Sequence, residues 1–256
     1  LQNKNKNSKS TVMNINDEIN PSDLEYYVIN AIKKRDLIIF TQNIFEKEFS
    51  VFKECFIKLK AQDGKVLHPK SYIKVLNKLR LMADYDLIVL EKVIEMCKKS
   101  DNERFAVSIS PTSIRNPIVL AKIKDLFYKN KCMENRIILL LNESEYYPKI
   151  DKFNAILQQL KDLGIMIAVD RLGSLHTSFL YLRDLNIDIV RFDFFYTKDI
   201  NGKAHKNILG GFNVMAHENG IKTWIKMIEN EDVKGLAKEL EVDYLQGKYL
   251  APLEKI

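Results

Sequence analysis

Residues 136–142 read RIILLLN, and the five apolar residues Ile137–Leu141 leave no polar face. A strand with one wet face alternates apolar and polar side chains. An unbroken apolar run of this length fits a strand buried on both faces, as in a parallel sheet covered by helices. This run spans Arg136–Asn142, and seven more β-rich runs accompany it: Leu37–Ile44, Val51–Lys60, Arg104–Ser110, Ile165–Asp170, Asp188–Asp193, Ile221–Ile225 and Val242–Leu245. Helical patterns separate most of them, at Asp84–Lys99, Asn116–Tyr128, Asp151–Leu163, Thr177–Leu185, His205–Asn219 and Asp232–Leu240. Only the first two runs are close together, which predicts a hairpin at the start. Eight strands with helical crossovers fit a TIM-like (β/α)8 barrel. An open doubly wound α/β sheet is the rival. Against it, no Gly-rich fingerprint follows the first run, and Leu209-Gly210-Gly211-Phe212 sits within a helical stretch.

The chain has 256 residues, 46% hydrophobic and 29% charged, with a formal net charge of +6. That composition supplies a core and excludes a largely disordered protein. No apolar run nears the ~18 residues of a membrane span. Cys55, Cys97 and Cys132 lack the spacing of zinc or redox motifs, and an odd number argues against a disulfide framework. Free thiols point to a reducing, cytoplasmic setting. The basic excess is spread along the chain and does not mark a nucleic-acid partner. Residues 1–20 are polar and low in complexity and read as a flexible linker or tail, leaving 21–256 as the folded domain. Pro21-Ser22-Asp23 opens an amphipathic helix through Lys34. A chain that begins with Leu1 is expected to be part of a longer protein, with a signalling module upstream.

In a barrel, chemistry gathers at the C-terminal ends of the strands. Those ends carry Glu54 and Lys58, Ser108 and Ser110, Asn142-Glu143, Asp170-Arg171, Arg191 and Asp193, Lys226, and Gln246. Polar strand ends are ordinary one at a time. Glu54, Arg191 and Asp193 differ because they interrupt apolar runs, and a charge there must pair or serve a site. The other candidates are bland. His68, His176, His205 and His217 form no triad pattern, Cys55 reads as a packing thiol, and Trp224 reads as core.

The segment Ile167–Asp193, IAVDRLGSLHTSFLYLRDLNIDIVRFD, resembles the signature of the EAL family of cyclic di-GMP phosphodiesterases, Asp-Asp-Phe-Gly-Thr-Gly-x-Ser-Ser-Leu, then Tyr-Leu, then Lys-Ile-Asp. Further resemblances follow in order. Thr41–Ile44 is similar to Tyr-Gln-Pro-Ile, Glu54-Cys55-Phe56 to Glu-Ala-Leu, and Val107–Ser110 to Val-Asn-Leu-Ser. Leu140–Ser144 is similar to Glu-Ile-Thr-Glu-Ser, Ile225–Glu229 to Ala-Glu-Gly-Val-Glu, and Gln246–Tyr249 to Gln-Gly-Tyr-Tyr. The resemblance covers about Leu37 to the C-terminus and implies a (β/α)8 barrel whose first strand is antiparallel. It also implies metal-assisted hydrolysis of the cyclic dinucleotide to linear pGpG, with Mg²⁺ or Mn²⁺ on carboxylate and amide oxygens.

The same resemblance implies a damaged ligand set. Glu54, Asp170 and Gln246 are kept, and Glu143 and Glu229 are the expected loop-controlling residues. The asparagine ligand is Ser108, a glutamate is Leu140, and the second aspartate is Arg171. The lysine is Arg191, which stays charged and cannot act as a base at neutral pH. The next glutamate is Lys226. Two cations in place of carboxylates would repel a divalent ion at ~4 Å by several kcal/mol. No metal cofactor is expected. Arg171, Arg191 and Lys226 are instead expected where the metals would sit, with Arg171 or Lys226 bridged to Glu54 or Asp170. Ligand-binding candidates are Gln42, Glu54, Lys58, Asp170, Arg171, Arg191, Lys226 and Gln246. Lys58-Leu59 stands where the family has Arg-Trp, and Asn43 replaces a proline.

The sequence therefore reads as a degenerate EAL-type regulatory domain without catalysis. It is expected to act as a metal-independent cyclic di-GMP sensor. The alternatives are a protein-interaction module that has lost the ligand, and, ranked last, a weak phosphodiesterase. A homodimer through Leu172–Phe179, or contact with an upstream signalling domain, would fit the same family.

Overall fold

The computed structural model describes residues 20–61, 63–100, 102–130, 134–142, 149–172, 180–198 and 202–256. Helix α1 (Pro21–Lys34) begins on Asn20, whose side chain accepts from the Ser22 N–H, with Pro21 at the first helical position. The predicted hairpin follows: β1 (Leu37–Glu46) and β2 (Phe49–Lys60) pair antiparallel, with Gln42 opposite Glu54 and Ile44 opposite Phe52.

The remaining barrel strands are β4 (Phe105–Ile109), β5 (Ile137–Asn142), β6 (Met166–Leu172), β7 (Ile189–Phe192), β8 (Lys222–Ile225) and β9 (Tyr244–Leu245). Every expected run becomes one of these eight strands. From β2 through β9 neighbours are parallel, and β1 closes the ring by pairing antiparallel with both β2 and β9. Closure excludes the open sheet. Two short strands add to the rim: β3 (Val66–Leu67) on β2 and β10 (Glu254–Lys255) on β1. The principal crossover helices are α3 (Met82–Lys98), α5 (Pro117–Lys129), α6 (Ile150–Lys161), α7 (Leu180–Asp184), α9 (Lys203–Glu218) and α10 (Glu231–Glu239). Three helices were not expected: α2 (Pro69–Lys78), α4 (Pro111–Arg115) and α8 (Phe194–Lys198). Pro69 marks the start of α2, and His68 caps it by accepting from the Lys70 N–H.

Strand alternation makes two cores. Outward-facing residues such as Ile137, Leu139 and Leu141 pack under the helices. Inward-facing residues fill the barrel: Ile44, Phe52, Ala106, Ile138, Leu140, Ala168, Ile189, Trp224 and Tyr244. Phe52 meets Trp224 and Tyr244 edge-on, with ring centroids 5.4 and 5.1 Å away. The five-residue apolar run is thereby explained, because its alternate side chains serve two different cores.

Behind the mouth, the chain after β9 runs flush against the turn after β8. A Cβ on Gly247 would stand 2.1 Å from the Ile228 carbonyl oxygen, whereas one on Gly211, inside α9, meets nothing within 4 Å. Gly247→Ala is therefore expected to cost about 1–3 kcal/mol of unfolding free energy, and Gly211→Ala to gain roughly 0.5–1 kcal/mol. Urea melts of the two variants check this; opposite signs are the required outcome.

Candidate functional site

The next inward-facing positions, two residues further along each strand and two residues back along the reversed β1, lie at the C-terminal mouth. In-phase positions place Gln42, Glu54, Ser108, Asp170, Arg191, Lys226 and Gln246 there, directly above the apolar layer. The register sets Ser108 beside Leu140, Asn142 beside Asp170, and Arg191 beside Trp224. Between Val169 and Leu172, β6 carries one residue more than β7. This bulge holds Asp170 and Arg171, and Arg171 has φ 61°, a left-handed conformation uncommon away from glycine. The bulge turns Arg171 outward, where it is exposed, while Asp170 stays 6% exposed.

Arg191 organises the mouth. Its Nε donates to Asp170 Oδ1 at 2.8 Å and its Nη2 to Asp170 Oδ2 at 2.8 Å, a two-pronged fork. Its Nη1 donates to Glu54 Oε1 at 2.6 Å. The Gln246 Nε2 donates to the other Glu54 oxygen at 2.8 Å. The guanidinium lies over the Trp224 ring, 4.3 Å from its centroid. All four polar residues are almost wholly buried. Gln246 Oε1 is also buried and has no hydrogen-bond partner among the described residues.

The cation bridging the carboxylates is Arg191, which reaches both. Lys226 is half-buried and makes no ion pair among the described residues, though it feels Asp170, Arg191, Glu54 and Arg171. Burial first, and then the Arg191 guanidinium, push its ammonium below the ordinary lysine value. Gln42 donates its amide N–H to the Ala251 carbonyl at 3.0 Å, tying down the C-terminal segment. Lys58 sits farther up β2 with its ammonium 4.6 Å from the Phe40 ring centre. Leu140 is fully buried in the inner core, Ser108 is exposed, and Glu229 is exposed beyond β8. Asp193, which interrupts its apolar run, caps α8 by accepting from the Phe195 N–H. Glu143, His176 and residues 173–179 of the expected dimer loop lie outside the described residues, as does Cys132. Cys55 is buried, and burial pushes its thiol far up, so it packs rather than reacts.

Among the described residues the oxygen donors do not come together as a two-ion site. Glu54 and Asp170 already surround a guanidinium. Among the described residues, no three Asp, Glu, His or Cys side chains come together as metal ligands. Sequence reasoning missed two participants. Trp224 is core, as read, but also the floor under Arg191. Asp86, buried on α3, accepts from the Ser110 N–H at 3.0 Å and so holds the rim after β4. The apolar residues Leu87–Leu90 beside Asp86 were the available signal.

A closed barrel with one reversed strand and a charged cluster at its C-terminal mouth places the chain among the (β/α)8-type domains. Residues 30–253 match the EAL domain, and the chain belongs to that family. It is 27% identical to the cyclic di-GMP phosphodiesterase PdeA of Borreliella burgdorferi over 89% of this chain and 35% of that protein. With the probable cyclic di-GMP phosphodiesterase PdeA of Escherichia coli it shares 26% identity, over 85% of this chain and 30% of the relative. The chain thus spans about a third of these relatives' length. The EAL domain of FimX from Pseudomonas aeruginosa bound to c-di-GMP superposes with a TM-score of 0.81 at 17% identity, covering 91% of this chain and 96% of that one. Among the described residues no helix is long and apolar enough to cross a membrane.

The buried acids pull stability in opposite directions with pH. Burial alone would raise Asp170, but the Arg191 guanidinium outweighs it and holds the carboxyl at about 2. Its contribution is full above the unfolded value of about 4 and is lost as pH falls toward 2. Burial pushes Asp86 up to about 7, so its contribution is full below about pH 4 and is lost as pH rises to about 7. Asp86→Asn keeps an acceptor for Ser110 and removes the titration. Its urea midpoint relative to the parent is expected to rise between pH 5 and pH 8; a pH-independent difference would contradict the assignment.

Proposed function

We propose that this domain is a regulatory module of cyclic di-GMP signalling, in a cytoplasmic setting, which binds the dinucleotide at the barrel mouth without metal and does not hydrolyse it. The observation that carries the reading is the Arg191 guanidinium forked between Glu54 and Asp170. A metal pair would have to displace three charge-assisted hydrogen bonds, and two of the flanking positions are Arg171 and Lys226. The dinucleotide, by contrast, brings negative charge. Two carboxylates against three cations leave one net positive charge at the mouth, with Arg191 consumed internally. Lys226 is the cation offered to a phosphate, Arg171 adds its charge at the rim, and Gln246 follows beside Lys226 in the sheet register. Each charge-assisted contact supplies roughly 1.5–3 kcal/mol once desolvated.

Two other readings have support. The relatives' names favour a phosphodiesterase. Phe194 and Phe195, roughly half exposed on α8 after β7, favour a protein-interaction module.

Calorimetric titration in EDTA separates the readings. Cyclic di-GMP is expected to bind, and Lys226→Ala or Arg171→Ala to weaken binding about ten- to a hundredfold. No heat at several hundred micromolar ligand would leave the interaction module. In a parallel assay with Mg²⁺ or Mn²⁺ no pGpG is expected. Product that scales with protein and disappears with chelator would establish the phosphodiesterase.

A further inference from the structure

Two carboxylates buried side by side need a positive charge, and this chain supplies one covalently. The slot is specific in shape. Asp170 takes two parallel donors of the guanidinium, Glu54 takes a third, and the Trp224 ring forms the floor. The Glu54 carboxylate is held by Gln246, whose buried Oε1 has no partner among the described residues and remains an unused oxygen donor. Arg191 is 3% exposed and enters from β7, between β6 with Asp170 and β8 with Trp224, and reaches across the barrel to Glu54 on β2.

We propose that Arg191 is the resident counter-ion of the mouth, and that the residues around it form a cation slot which a free cation can fill once the guanidinium is removed. Glu54, Asp170 and the oxygen of Gln246 are its donors. In the parent chain the slot is permanently filled, so dissolved cations do not compete for it. This deepens the metal-free reading of the site and rests on it, but it does not depend on nucleotide binding.

The test is the thermal midpoint of the parent and of Arg191→Ala, each with EDTA, 10 mM Mg²⁺, 10 mM Mn²⁺ or 10 mM guanidinium chloride, at matched ionic strength. The parent midpoint is expected to stay constant across the four conditions. Arg191→Ala is expected to melt on the order of 10 °C lower in EDTA, because it leaves two buried carboxylates uncompensated. Guanidinium or Mn²⁺ should restore several degrees to this variant alone. Adding Glu54→Gln and Asp170→Asn to Arg191→Ala should abolish the response. A parent that responds to Mn²⁺ overturns the metal-free reading and this proposal with it. An inert parent with an equally inert Arg191→Ala overturns the proposal alone. If Arg191→Ala does not fold, Arg191→Lys decides. Its ammonium cannot fork both carboxylates, so a midpoint several degrees below the parent is expected, and a midpoint equal to the parent refutes the counter-ion role.

Discussion

The Arg191 guanidinium bridges Asp170 and Glu54, and the rest of the mouth is arranged around that bridge. Transferring ions from water to a barrel interior is costly, and only near-ideal hydrogen bonding offsets it. Here both oxygens of Asp170, both of Glu54 and the face of Trp224 are all engaged. Asp170 Oδ1 additionally accepts from the Arg171 N–H at 2.8 Å, which couples the ion pair to the bulge in β6. Geometry and charge therefore support each other, since the bulge places the carboxylate and the carboxylate steadies the bulge.

The mouth contrasts with the opposite end of the barrel. There Asp243 accepts from the Thr223 N–H at 2.8 Å and pairs with His217 at 2.8 Å, while the Thr223 hydroxyl donates to Asn213 at 2.5 Å. That network stitches α9, β8 and the start of β9 with neutral groups and one carboxylate. It is a clamp on the scaffold. The mouth instead concentrates formal charge of both signs in a few buried residues, together with left-handed backbone at Arg171 and at Met227, next to Lys226. Chemistry at the C-terminal end and stability at the other is the division a (β/α)8 barrel permits.

The position of the barrel layers explains how the fold accommodates Leu140 and Ser108 at their strand ends. Leu140 belongs to the inner core and packs with Ala106, Ile138 and Ala168, so an apolar side chain there adds to a layer that already exists. Ser108, the register partner of Leu140 on β4, is exposed. The cation positions differ from these two because Arg191 and Lys226 lie within electrostatic reach of both carboxylates and Arg171 within reach of Asp170.

Much of the fold was legible in the sequence because its signals are local. An apolar run such as Ile137–Leu141 can only be a strand covered on both sides. Spacing between runs sets the crossovers, and a charge inside an apolar run, such as Glu54 or Arg191, marks a buried demand for a partner. The short helices α2, α4 and α8 escaped because one to three turns give little periodicity. The identity of the partner was not legible. Arg171, Arg191 and Lys226 are all cations at strand ends, yet only the assembled register and the bulge after Val169 decide which reaches both carboxylates. Glu54 and Arg191 are 137 residues apart, Glu54 and Gln246 192. By itself the sequence determined which strands exist and which charges lie at their ends. The closed barrel decided which of those charges meet, because distance across a barrel depends on strand order, shear and pleat, none of which is written in any local stretch of chain.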